Sequence, residues 1–115
     1  MAGPKIKLKF LKATLKNLRK ANLQRDKEAF KHIHRWDGVD WSNALAGECG
    51  ELCNKTKKLK RGDDIPLWAL KEEVADILIY LDIFANHYNF TIEEALIDKF
   101  NMVSVQVKSS VYLKK

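Results

Sequence analysis

The chain has 115 residues, 46% hydrophobic and 31% charged, with only five Gly and two Pro. That is room for one domain, and it excludes a disordered or collagen-like chain and disfavours a turn-rich β-sandwich. Twenty-one Lys and Arg against fifteen Asp and Glu give a formal charge of +6, which taken alone points to a polyanionic partner. The total hides a split. Residues 1–31 carry ten basic and two acidic side chains, a net +8, whereas residues 48–98 carry six basic and eleven acidic ones, a net −5.

In chain order, Ile6, Leu8 and Phe10 alternate with lysines, so residues 1–10 are expected to be frayed or extended. Leu11, Leu15, Leu18, Phe30 and Ile33 recur at helical spacing and predict a first helix or helix pair. Asp37 to Asp40 reads as a turn, and a second helix is expected from about Trp41 to Lys60, with Gly62 as its C-terminal cap. A third should open at Pro66, with Asp64 as a candidate N-cap, and continue to about Asn89. Thr91 and Glu94 form a capping box for a fourth, ending near residues 101–104. Beyond it Val103, Val105, Val107 and Val111 alternate, which leaves a frayed helix and an extended tail both open for residues 105–115. The expectation is an all-α four-helix bundle spanning residues 1–115 as one domain.

The longest apolar run, Ile77 to Leu81, falls far short of the roughly 20 residues that cross a bilayer. The N-terminus shows no apolar core of a secretory leader. Cys49 and Cys53 lack a second Cys pair or a zinc-spaced Cys/His set, and read as small semi-buried thiols of a reducing compartment. A soluble cytoplasmic protein is expected.

The third helix carries carboxylates on its wrong side. Lys71, Asp82, Asn86 and Asn89 share a stripe that should face water. On that wheel Glu73 lies roughly 180° and Asp76 roughly 120° from Asp82, among Leu70, Val74, Ile77 and Leu81. The second helix repeats the anomaly: Glu48 shares its stripe with Leu45, Leu52 and Leu59, opposite Asn43, Asn54, Lys57 and Arg61, and Glu51 is one turn on. The result is Glu-x-x-Glu, a 21-residue gap, then Glu-x-x-Asp. Inward carboxylates are costly unless paired or bound to a cation. A hard divalent ion suits four clustered carboxylates, since Mg²⁺ takes oxygen ligands and keeps waters for a substrate's phosphates. The alternative is pairing with Lys55, Lys58 or Lys71 across helix surfaces.

Residues 41–52 (Trp-Ser-Asn-Ala-Leu-Ala-Gly-Glu-Cys-Gly-Glu-Leu) and 70–81 (Leu-Lys-Glu-Glu-Val-Ala-Asp-Ile-Leu-Ile-Tyr-Leu) resemble the signature of the MazG-like all-α nucleoside triphosphate pyrophosphohydrolases, in the phage-type branch. The likeness extends through residues 54–62 and 98–104 and covers a core of about 20–105. It implies hydrolysis of a (deoxy)nucleoside triphosphate to monophosphate and pyrophosphate, dependent on Mg²⁺ or Mn²⁺, in a nucleotide house-cleaning role. By position, Glu48, Glu51, Glu73 and Asp76 would be the catalytic metal ligands, with Glu48 or Glu51 the alternative candidate for orienting the attacking water. Tyr80 matches a substrate-pocket position, Lys99 a phosphate-contacting lysine, and Asn101 the Lys-Phe-Asn form of the branch. Lys55 and Lys58 are further phosphate candidates, though Glu51 and Lys55 also form an ordinary i, i+4 pair. Trp36 is a candidate for base contact, and His32 and His34 are expected at the surface. Gln106 and His87 stand where relatives carry arginines, so neither that phosphate contact nor dCTP specificity transfers. The family implies a homodimer or homotetramer. The competing reading is a non-enzymatic nucleic-acid-binding module using Lys5, Lys7, Lys9, Lys12, Lys16, Arg19 and Lys20, which supply no base readout.

Overall fold

The computed structural model describes residues 6–30 and 36–115. Four helices and no strand form among the described residues: α1 (Leu15–Ala29), α2 (Gly38–Arg61), α3 (Leu67–His87) and α4 (Ile92–Gln106). The all-α expectation is borne out, with shifts at several ends. Thr14 caps α1 by accepting from the Asn17 amide at 3.1 Å, and α1 stops at Ala29. Ile33, His32 and His34 lie outside the described residues.

Helix α2 starts three residues before the expected Trp41, because the segment read as a turn is a capping box. Asp37 accepts from the Asp40 amide at 2.9 Å and Asp40 accepts from the Asp37 amide at 3.0 Å. Gly38 opens this helix where little else would fit: a Cβ there would fall 1.8 Å from Tyr88 Oη. Gly62 closes it with φ 99°, the left-handed C-cap read from the sequence. Pro66 is itself the N-cap of α3, with no side-chain cap bond, in place of Asp64. That helix ends at His87, two residues early, and Asn89 turns the chain at φ 61°. The Thr91/Glu94 box starts α4 as expected, and α4 runs to Gln106. The tail is not a strand. It folds back on α4 through the Asn101 amide, which donates to Leu113 O at 2.9 Å and accepts from Leu113 N at 2.8 Å, and through Ser104 Oγ donating to Val111 O at 2.6 Å.

Helix α3 is the hub, packed against α1, α2 and α4. The connection from α2 is short, and Lys55 meets Glu73 while Glu48 meets Asp76, so α2 and α3 form an antiparallel helical hairpin. One expectation about α3 fails. Asp82, assigned above to the water-facing stripe, is 3% exposed. Helix α1 lies across that stripe: Arg19 Nε donates to Asp82 Oδ1 at 3.1 Å, Asn22 Nδ2 donates to Asp82 Oδ2 at 2.9 Å, and Arg19 Nη2 reaches Phe90 O at 2.7 Å. A one-helix wheel could not show this, because the covering surface is itself polar. Conversely Val74, placed on the buried face, is 56% exposed.

The single chain encloses little. Its buried apolar residues among those described are Ala69 and Ala85, and no large side chain is fully buried. The accessible surface is 9590 Å², against about 6,450 Å² for a compact monomer of 13.3 kDa. The radius of gyration is 17.8 Å, against about 13 Å expected for this length.

Asp82→Ala leaves the Arg19 guanidinium without its buried carboxylate, and is expected to cost roughly 3 kcal/mol of stability. Urea denaturation measures it; a loss below about 0.5 kcal/mol, typical of a surface change, would contradict this reading of the α1–α3 contact.

Candidate functional site

The α2–α3 hairpin brings together three of the four carboxylates expected to face inwards, and leaves the fourth, Glu51, exposed on α2. One oxygen each of Glu48, Glu73 and Asp76 lies within 4.8 Å of the others, close enough to hold a metal ion. Glu73 is buried, Glu48 and Asp76 are half-buried, and Glu51, one turn beyond Glu48, is exposed. Lys55 Nζ sits 2.5 Å from Glu73 Oε1 and donates more loosely, at 3.4 Å, to Ala69 O. Glu73 Oε2 is buried and has no hydrogen-bond partner.

The electrostatics follow from this crowding. Burial, then the charges of Asp76, Glu73 and Glu51, push the Glu48 carboxyl above its ordinary range. Lys55 is raised in turn, chiefly by its bond to Glu73. The donor set fits a hard divalent cation: all oxygen, clustered, with one buried oxygen lacking any partner. Pairing with a lysine, the alternative weighed from the sequence, is also present, and it satisfies only one of the two Glu73 oxygens.

Beside this cluster lies a cavity of about 460 Å³ between α1, α3 and the start of α2, with Asp76 on its wall. The volume is in the range of small-molecule sites. Three aromatic rings line one side, Trp36 and Trp41 with centroids 4.7 Å apart and Trp41 and Tyr80 at 6.2 Å. The Arg19–Asp82–Asn22 network forms part of the lining, and Asn86 and His87 add polar edges. Trp36 and Tyr80, both singled out in the sequence, line the same cavity.

Other expected residues lie elsewhere. Lys55 belongs to the carboxylate cluster, whereas Lys58 on α2 and Lys99 on α4 are off the cavity wall. Both polar groups of Asn101 are engaged by Leu113. Cys49 and Cys53, read as semi-buried, are exposed and unpaired, because they lie on the outer side of α2. Sequence reasoning missed Asn22, Arg19 and Asp82 as cavity residues. The available signal was an Asn and an Arg among the leucines of the first helix.

Raised carboxyl pKa values have a definite sign for stability. Glu48 contributes stability that is fully present below its unfolded value and is lost as pH rises through its higher folded value. Glu48→Gln is therefore expected to raise the melting temperature of metal-free protein at pH 7 and to change it little at pH 4. Melting curves at the two pH values check this, and equal shifts at both would contradict it.

A family model described as MazG nucleotide pyrophosphohydrolase domain matches residues 41–107, more than half of the chain. That span covers α2 from Trp41, α3 and α4, including all four carboxylates, and leaves out α1 and Trp36. No curated protein matches the chain.

Proposed function

The chain belongs to the MazG nucleotide pyrophosphohydrolase domain family, and from that premise we propose that it hydrolyses a (deoxy)nucleoside triphosphate to the monophosphate and pyrophosphate. The observation that carries this reading is the buried, unpartnered Glu73 Oε2 in a three-carboxylate cluster that opens, through Asp76, onto an aromatic cavity.

In this account Glu48, Glu73 and Asp76 hold the divalent ion, Mg²⁺ with Mn²⁺ as substitute. When bound, the ion offsets charge on the phosphates and lowers the pKa of a coordinated water. Glu51, exposed one turn from Glu48, is the better placed of the two to accept the proton of water attacking the α-phosphorus, since it lies outside the cluster. Glu51 completes the ligand set in the alternative arrangement. Trp41, Tyr80 and Trp36 supply apolar faces for the base, an interaction tolerant of base identity. Asn86 and His87 offer the polar edges that discriminate between bases. Lys58 and Lys99 are assigned to phosphate, and Asn101 to that role only if the tail releases it.

We assign the enzyme to a homodimer or homotetramer. The surface exceeds that of a compact monomer by roughly 3,100 Å², part of it on the exposed residues before α1. Its apolar content, with Val74, Leu78, Phe100 and Val103 all exposed, suits a core completed by a second copy. Exposed unpaired thiols fit a reducing, cytoplasmic setting. Among the described residues no helix is long and apolar enough to cross a membrane.

Turnover of a dNTP panel in ¹⁸O-water with Mg²⁺, followed by ³¹P NMR, tests the reaction. The label is expected in the monophosphate, with pyrophosphate unlabelled; release of orthophosphate, or no turnover of any nucleotide, would sink the reading. Glu73→Ala should lower kcat at least about a hundredfold, the scale for losing one group that stabilises transition-state charge. Light scattering on the purified chain should give a multiple of 13.3 kDa; a monomer at micromolar concentration would contradict the assembly.

A further inference from the structure

The two oxygens of Glu73 are in opposite circumstances. Oε1 accepts from Lys55 Nζ at 2.5 Å, while Oε2 is buried without a partner. The ammonium therefore sits on the oxygen set that Glu48, Glu73 and Asp76 present within 4.8 Å of one another. A divalent ion drawing on Glu73 and an ammonium bonded to the same carboxylate repel each other strongly at such separations. The Lys55 side chain is 24% exposed, and its second contact, to Ala69 O, is long at 3.4 Å. Glu73 is thus its principal hold, and solvent lies within reach of its tip.

We propose that Lys55 is an internal stand-in for the cation: it neutralises Glu73 in the metal-free protein and leaves Glu73 when the divalent ion binds. This rests on the metal-dependent reading above and deepens it. In the metal-free state Lys55 keeps a buried carboxylate from facing two others uncompensated, which holds the α2–α3 register. The same contact opposes metal binding, so the empty enzyme binds metal more weakly than its ligands allow. The displaced ammonium, freed beside the cavity's carboxylate end, is available to a triphosphate. Metal and nucleotide then favour each other's binding, because each gains from Lys55 having left Glu73.

Calorimetric titration with Mn²⁺ alone, without nucleotide, tests this on the full chain. Lys55→Met keeps the stem and removes the charge, and it should bind Mn²⁺ on the order of tenfold tighter than wild type. Lys55→Arg, which keeps the charge, should stay near wild type. Affinity of Lys55→Met equal to or weaker than wild type overturns the proposal. A second readout needs no variant: acylation of Lys55 by a water-soluble anhydride, followed by peptide mass spectrometry, should accelerate when Mg²⁺ is added, with exposed Lys57 and Lys60 as references. An unchanged or slower rate overturns it as well. Wild-type protein that takes up no Mn²⁺ removes the metal reading together with this one, whereas metal uptake insensitive to Lys55 removes this one alone.

Discussion

A carboxylate buried with one oxygen unpartnered is the constraint on which the rest of this structure turns. Glu73 is 7% exposed, faces Glu48 and Asp76 within 4.8 Å, and has a single lysine to offset it. Such an arrangement opposes folding, since like charges in a poorly solvated position raise one another's energy. It persists because the long helices α2 and α3 impose it: their antiparallel packing fixes which turns face each other, and Glu48 of α2 meets Glu73 and Asp76 of α3 at one level. Strain of this kind is a mark of a site that does chemistry.

Helix α3 serves two purposes on two faces. Towards α2 it presents Glu73 and Asp76; towards α1 it presents Asp82, held by Arg19 and Asn22. The second contact is a satisfied polar network and the first is not. That difference separates scaffold from candidate site. By gripping α1, Asp82 also sets one wall of the aromatic cavity, which places that space next to the carboxylates. Val74, Leu78, Phe100 and Val103 stay exposed on the single chain.

Helix existence, the Gly62 cap, the Thr91 box and the inward placing of Glu48, Glu73 and Asp76 were legible in the sequence, because each depends on residues within a turn or two; Glu51, expected with them, is exposed. The start of α2 was misread since Asp37 and Asp40 favour a turn and a capping box equally. Asp82 was misread for a different reason: periodicity locates polar stripes but not what covers them, and α1 covers this one with Arg19 and Asn22. Asn101 matched a family position, yet its amide holds a tail whose course no local pattern encodes. The charge split of the opening lines is partly resolved. Arg19 and Arg25, counted with the basic N-terminal part, line the cavity, so some of that positive charge belongs to the candidate site.

The cluster of Glu48, Glu73 and Asp76 is short of positive charge, since Lys55 bonds only one of the two Glu73 oxygens. The most direct test is the melting temperature of the nucleotide-free protein as Mg²⁺ is titrated, in wild type and in Glu73→Gln. A ligand at about a hundred times its Kd adds roughly 2.7 kcal/mol. The account predicts a rise of several degrees for wild type that saturates, and none for Glu73→Gln. A wild-type melting temperature indifferent to Mg²⁺, or an equal rise in both proteins, would contradict it.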